Sequence, residues 1–300
     1  MTEFKNHRLL VTGATGQVGA PVATALANNN RVVAIARFGD KAARANLEAA
    51  GVECIVVDFE TGDYRTLDGD FDYVLNFAVA KTNDFDRDLR ANVEALGFLM
   101  QRCSGSRAFL HCSSTAVYEP DGHRRFVETD PLGDNHRAFG FMPTYSITKI
   151  AAEAMARFGA RAHELPTTIA RLSVPYGDTF GWPQFQLAMM RAGHPIPVHE
   201  NAPSEYNPIH IDDIVAQIPA LLGAASVPAT IVNWAGDDVV SIETWCETLA
   251  IATGVTATFA PTTATIESVA CDTSKRASIT GPCRVHWSDG LARMAAANPS

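Results

Sequence analysis

Val11-Thr12-Gly13-Ala14-Thr15-Gly16-Gln17-Val18-Gly19 is the stretch on which the fold turns. An apolar run from Leu9 to Thr12 precedes it, and an apolar-periodic segment from Val18 to Asn29 follows. The glycines fall in a G-x-x-G-x-x-G spacing between a strand and a helix. The first permits a tight strand-to-helix turn, and the second lets a pyrophosphate approach the backbone at the helix N-terminus. The third lets the helix pack close on the strand. Glycines alone are a weak signal, but this order of strand, turn and helix near the N-terminus predicts dinucleotide binding.

Outward from this turn, short apolar runs alternate with helical patterns. Val32–Ala36, Cys54–Val57, Tyr73–Asn76, Ala108–His111 and Thr168–Leu172 read as strands. Lys41–Ala50, Leu89–Cys103 and Tyr145–His163 read as helices. Such alternation predicts an α/β fold with a Rossmann-type doubly wound parallel sheet, covered on both faces. A small C-terminal substrate-binding lobe completes it. Residues 1–177 are expected to form mainly the NAD(P)-binding domain and 178–300 mainly the lobe, interleaved rather than independent. The segment Glu119–Pro143 is rich in Pro, Gly and charge, so it reads as a long irregular connection. Within it, His123, Arg124, Arg125, His136 and Arg137 form either a solvated loop or a lid that carries an anion-binding group. Asp212 reads as a cap for a helix from Asp213, and Ser241 as the N-cap of a helix through Thr253.

The end of the second strand bears on the cofactor. NAD-preferring sites place an acid there for the ribose hydroxyls, and this chain has Ala36. Arg37 follows and can pair with a 2′-phosphate. NADP is therefore expected before NAD. Asp58 ends the third strand, where it either reaches the adenine or serves its own turn.

Tyr145-Ser146-Ile147-Thr148-Lys149 opens the long helix. Residues four apart share a helical face, so Tyr145 and Lys149 can point into one site. A neighbouring ammonium favours phenolate, which makes the tyrosine a usable acid–base group near neutral pH. Ser113-Ser114-Thr115 lies just past the fifth strand, where open α/β sheets bind ligands. A hydroxyl there either holds a substrate oxygen or caps the loop backbone.

With these motifs in order, the chain resembles an extended short-chain dehydrogenase/reductase of the NAD-dependent epimerase/dehydratase family. The resemblance rests on Gly13/Gly16/Gly19, Asp58, Ser113–Tyr118, Tyr145/Lys149, Arg171 with Tyr176-Gly177, His210–Asp213 and Asp272–Arg276. It implies Tyr145 as general acid/base, Lys149 as its activator, Ser114 on the reacting oxygen, and Asn92 beside the site. It implies cofactor contacts from Gly13, Thr15, Gly16, Gln17, Val18, Gly19, Arg37, Asp58, Phe59, Phe77, Ala78, Val79, Ala80, Tyr145, Lys149 and Val174. No metal is expected. Three departures matter. Thr115 and Ala116 stand where family dehydratases carry an acid. Val174 replaces an asparagine and Tyr206 an arginine of nucleotide-sugar epimerases. The expected activity is therefore an NAD(P)-dependent reductase acting on a carbonyl or secondary alcohol, favoured over an epimerase, with dehydration set aside. A sugar or nucleotide-sugar epimerase with retained cofactor is the alternative, and a non-catalytic dinucleotide sensor is another. The segment Phe180–Phe185, with Met189 and Met190, is either an apolar substrate wall or lobe packing.

Composition bounds the rest. The 300 residues are 47% apolar and 19% charged, with a net charge of -9, which argues against nucleic acid and anionic lipid as partners. The six cysteines contain no C-x-x-C pair, so free thiols in a reducing cytoplasm are expected. No apolar run approaches the ~20 residues that span a bilayer. A homodimer through Leu89–Arg102 and Tyr145–His163 is expected from the resemblance.

Overall fold

The computed structural model of the chain describes residues 4–68 and 70–299. In chain order its first half contains β1 (Arg8–Thr12), α1 (Gly19–Ala27), β2 (Arg31–Ala36), α2 (Lys41–Ala49), β3 (Glu53–Val56) and β4 (Tyr73–Asn76). Then come α3 (Phe85–Leu89), a π turn (Arg90–Glu94), α4 (Ala95–Arg102), β5 (Ala108–Ser114), β6 (Arg125–Phe126) and α5 (Tyr145–Ala162). The second half contains β7 (Thr167–Leu172), β8 (Pro175–Gly177), β9 (Phe180–Gly181), α6 (Trp182–Arg191), β10 (Ile196–His199), β11 (Glu205–Tyr206) and β12 (Ile209–His210). It ends with α7 (Ile211–Gly223), β13 (Thr230–Trp234), β14 (Val240–Ser241), α8 (Ile242–Thr253), β15 (Phe259–Thr262), β16 (Ala270–Cys271), α9 (Ser274–Thr280) and α10 (Trp287–Ala297).

These elements form two compact units that alternate along the chain. The first takes the residues up to Ser113, Ile147–Ala170 and Val215–Val232; the second takes Ser114–Ser146, Arg171–Ile214 and the residues from Asn233 on. A seven-stranded sheet runs β13-β7-β5-β4-β1-β2-β3. β1 pairs in parallel with β2 and β4, with Leu10 opposite Val33 and Val74. β2 with β3 and β4 with β5 are parallel as well. From β1 the strand order grows one way through β2 and β3, then reverses through β4, β5 and β7. This is the doubly wound Rossmann-type arrangement, and it puts a topological switch point between β1 and β4.

Every residue of β5 and β7 is buried. Neighbouring residues on a strand face opposite ways, so both faces of the sheet are covered, and continuous apolar runs such as Leu9–Val11 suit such strands. One face packs Leu10, Val33, Val74, Phe109 and Ile169 against Leu96, Leu99 and Met100 of α4 and Ala152 and Ala156 of α5. The second unit has its own core, centred on Trp245, Tyr206, Tyr176 and Leu249.

Local signals explain several boundaries. Ser241 caps α8, its hydroxyl accepting from Thr244 N at 3.0 Å. Asp212 does not cap α7. It lies in the first turn of that helix, and its carboxylate binds Arg293 at 2.7 Å instead. Among the described residues no cysteine is in a disulfide, and Cys103, Cys112, Cys246 and Cys271 are buried. Among the described residues no helix is long and apolar enough to cross a membrane.

Candidate active site

The β1–α1 turn closes against the end of β4. Gly13 sits at φ +66, and a Cβ there would stand 2.7 Å from the backbone nitrogen of Ala78. A Cβ on Gly19 would stand 2.3 Å from the Gly13 carbonyl oxygen. Side chains are therefore excluded at both positions by backbone, not by movable groups. A hydrogen-bond chain sets this approach: Ala78 N donates to Thr12 Oγ1 at 3.0 Å, and Thr12 Oγ1 donates to Asn76 Oδ1 at 2.6 Å. No side chain caps the N-terminus of α1, while its Ala20 and Val22 amides donate to Gly16 O and Val18 O and Pro21 has no N–H to offer.

In front of this turn, within the first unit, lies a cavity of about 420 Å³. Of the residues expected at a cofactor, it collects Gly13, Thr15, Arg37, Asp58, Phe59, Ala78, Val79 and Ala80. Ala36, which stands in place of the ribose acid, lines it too, and Phe38, Gly39, Glu60 and Ala91 line it as well and escaped the sequence reading. Phe38 left a trace there, as an aromatic beside Gly39. Its φ of +49 is unusual for a bulky residue, and its ring is buried under the guanidinium of Arg44. Gly16, Gln17, Val18, Gly19 and Phe77 are not among the lining residues, nor is Lys149. A cleft of this size at a switch point, floored by Gly13, fits a dinucleotide.

The charged rim of the cavity is partly committed. Asp58 Oδ1 accepts from Glu60 N at 3.0 Å, while the side chain stays exposed at the cavity. Glu60 is held by Arg87 at 2.6 and 3.2 Å. Arg87 holds that carboxyl below its ordinary value, by hydrogen bond first. Arg37 is exposed on the same rim. Asn92 is spent on backbone. From the π turn its amide clamps the backbone of Ala80, accepting from the nitrogen at 2.7 Å and donating to the oxygen at 2.9 Å.

The catalytic candidates divide between the units. Tyr145 opens α5, and Lys149 follows one turn later. Tyr145 is half-buried, with the His136 ring 4.9 Å away. Ser146 Oγ donates to Ala116 O at 2.7 Å, so His136 Nδ1 is the donor in its 2.9 Å bond to that hydroxyl. In the first unit Lys149 is buried and donates to Cys112 O at 2.7 Å. Ser114 is buried, and its hydroxyl accepts from Ala116 N at 3.2 Å, capping a short turn. That bond leaves the hydroxyl proton unused.

The second unit resolves other sequence alternatives. Arg124 pairs with Asp121 and Asp130, and His123 and Arg125 with Glu205, so acids tie down the first part of the basic segment, while His136 is buried and Arg137 exposed. Leu187 and Met190 of α6 are core, Trp182 packs on Tyr206, and Phe185 remains exposed. Val174 packs on the same core. Tyr206 is itself buried and donates to Glu267 O at 2.9 Å.

The family model described as "NAD dependent epimerase/dehydratase family" matches residues 9–234. The chain belongs to that family. Among curated relatives of this family member is a trifunctional UDP-glucose 4,6-dehydratase/UDP-4-keto-6-deoxy-D-glucose 3,5-epimerase/UDP-4-keto-L-rhamnose-reductase of Arabidopsis thaliana. Identity to it is 25% over 246 residues, covering 74% of the chain. The chain spans only 36% of the length of that relative. In fold, the family member is similar to the UDP-glucuronic acid 4-epimerase of Bacillus cereus, solved with UDP-glucuronic acid and NAD. There the TM-score is 0.80 and identity 22%, covering 97% of this chain and 98% of the other. It is likewise similar to the dTDP-glucose 4,6-dehydratase DesIV of Streptomyces venezuelae, solved with NAD and TYD. That TM-score is 0.79 and identity 21%, covering 97% and 96%.

These findings overturn one expectation. A reductase was favoured over an epimerase, and dehydration was set aside, on the substitutions at Tyr206, Thr115 and Ala116. The family match and the epimerase and dehydratase neighbours point the other way. The physical weakness of that inference is visible at Tyr206. The position is a buried core site here, so the residue it carries says little about where a substrate phosphate finds its cation.

Proposed function

We propose that this protein is a nucleotide-sugar epimerase that oxidises and re-reduces one sugar carbon on a dinucleotide it retains. The observation that carries the reading is the Tyr145/Lys149 pair on one turn of α5 in a member of this family. The similar structures named above, an epimerase and a dehydratase holding NAD, support it. We assign the dinucleotide to the first unit and the sugar to the second.

When bound, the dinucleotide supplies an acceptor and donor of hydride. The chain supplies the proton handling. Tyr145, as phenolate, takes the carbinol proton while hydride leaves the same carbon, which gives a ketone. Reduction of that ketone from its other face would take the proton back from Tyr145 and invert the configuration, with no net redox change. Lys149 favours the phenolate through its positive charge. Ser114, with its hydroxyl proton unused, donates to the reacting oxygen. Thr15, Ala78 and Ala80 border the dinucleotide, and Asn92 holds Ala80 in place.

The test is incubation of the purified protein with UDP- and dTDP-sugars and analysis of the products. Interconversion of epimers without added cofactor is expected. A 4-keto-6-deoxy product would replace epimerisation with dehydration. No conversion of any sugar nucleotide would remove the reading.

For the adenosine end, we infer that Arg37 receives a 2′-phosphate. Ala36 leaves no acid for the ribose, while Asp58 and Glu60 are bonded elsewhere. Arg37→Ala is expected to weaken NADPH binding about 10- to 100-fold, the worth of one charged hydrogen bond, and to leave NADH little changed. The similar structures hold NAD, so fluorescence titration of the parent with both nucleotides separates the two cases. Equal weakening of both, or of neither, would remove Arg37 from the specificity role. On the same reading, a second copy pairs against the exposed Phe98 of α4 and Phe158 of α5, and a monomeric mass in light scattering would exclude it.

A further inference from the structure

Around the end of β5 the first unit buries His111, Cys112, Lys149 and Glu153. An isolated ammonium is costly to bury, so a buried lysine that keeps its charge needs a counter-charge beside it. Burial pushes Lys149 below its ordinary value, and Cys112 and Glu153 oppose that. Cys112 does not provide the opposition at neutral pH, because burial pushes its thiol up to about 11 and it stays uncharged. His111 is uncharged too, pushed down to about 3 by burial first and then by Lys149. Its Nδ1 accepts from Asn76 Nδ2 at 3.0 Å, since Asn76 Oδ1 is taken by Thr12, so its proton sits on Nε2. Of the groups facing the lysine from β5 and from α5 itself, Glu153 is the carboxylate.

The geometry of Glu153 is built. It is 1% exposed, and its Oε1 accepts from Ser113 Oγ at 2.6 Å. Ser113 is the hydroxyl adjacent to Ser114, the residue singled out from the sequence. Lys149 and Glu153 stand four apart on α5, with the lysine nearer the N-terminus. That order is the less favourable of the two for a helix, so helix stability does not account for the pair.

We propose that Glu153, aimed by Ser113, is the counter-charge that keeps Lys149 an ammonium in its buried setting. Glu153 is then a positioning residue that acts through the lysine. It sets how far up in pH Lys149 can support a phenolate at Tyr145. This consequence for Tyr145 rests on the function proposed above, whereas the charge state of Lys149 does not.

The test reads Lys149 directly in the full chain. The lysines are Lys5, Lys41, Lys81, Lys149 and Lys275, few enough for side-chain 15Nζ resonances to be followed against pH. Lys149→Arg assigns the signal. Glu153→Gln keeps an oxygen for Ser113 and removes only the charge. The midpoint of Lys149 is expected to fall by about one to three pH units, with the other lysines unmoved. An unmoved Lys149 midpoint in a folded Glu153→Gln protein would overturn the proposal. Should that variant fail to melt cooperatively, Ser113→Ala takes its place, with a smaller fall expected and an unmoved midpoint again decisive against it. A shifted midpoint in a protein that converts no sugar nucleotide would sink the functional reading and leave the counter-charge standing.

Discussion

Replacing Tyr145 by Phe is expected to slow sugar-nucleotide conversion by about 10²- to 10⁴-fold, the usual worth of a positioned acid–base group. The substitution removes one oxygen from a half-buried ring at the start of α5 and leaves the ring contact with His136 possible. The fold and the retained dinucleotide are therefore expected to survive, and both are measurable on the same preparation by melting and by mass spectrometry of the native protein. The loss should fall on kcat rather than on KM, because the phenolic proton matters most as charge develops on the sugar oxygen. A Phe variant that turns over as fast as the parent would assign the proton to another group. His136, 4.9 Å from the tyrosine ring, would then be the next residue to replace.

The second large effect belongs to Gly13. Gly13→Ala is expected to abolish dinucleotide retention, with affinity lowered by at least about 100-fold, the scale on which a misplacement of about 1 Å acts. A methyl group there meets the backbone of Phe77 and Ala78 at 2.7 Å, and φ of +66 strains any side chain. Relief requires β4 and β1 to part, or the turn to rotate away from the cavity. The strain itself costs about 1–3 kcal/mol, so the melting temperature should drop by several degrees. Gly39 is the internal control. It lines the same cavity, has no positive φ, and an added Cβ meets nothing within 4 Å, so Gly39→Ala should be tolerated. Equal behaviour of the two variants in melting and in NADH titration would refute this account of the turn.

The strands of the sheet were legible because they are apolar on both faces. Leu9–Thr12 and Val32–Ala36 lie within the observed β1 and β2 to a residue at each start. Elements with local chemistry were legible too, as at Ser241. The reading lost the start of α3, which Asp84 caps through Arg87 N, because Asn83 before it takes φ +64 and breaks the periodic pattern. It lost β10 and β15 because each carries a proline, Pro197 opposite Ala260 and Pro261 opposite Val198, and proline argues against a strand from sequence alone. At the site, glycine spacing and the Tyr145/Lys149 interval are local and could be read. Glu153 could not be singled out. Its meaning depends on a hydroxyl forty positions earlier in the chain, and only the packing of α5 on β5 brings the two together.

The alternation of the two units along the chain carries an evolutionary consequence. The polypeptide passes from one unit to the other after Ser113, Ser146, Ala170, Ile214 and Val232. A single genetic crossover therefore cannot exchange one unit for that of a relative. A break after Gly177 would strip β13 from its place beside β7, a strand with no exposed residue, and would remove the α7 carbonyl of Leu221 to which Thr168 donates. Exchange of a whole unit needs as many crossovers as the chain has passages between the two.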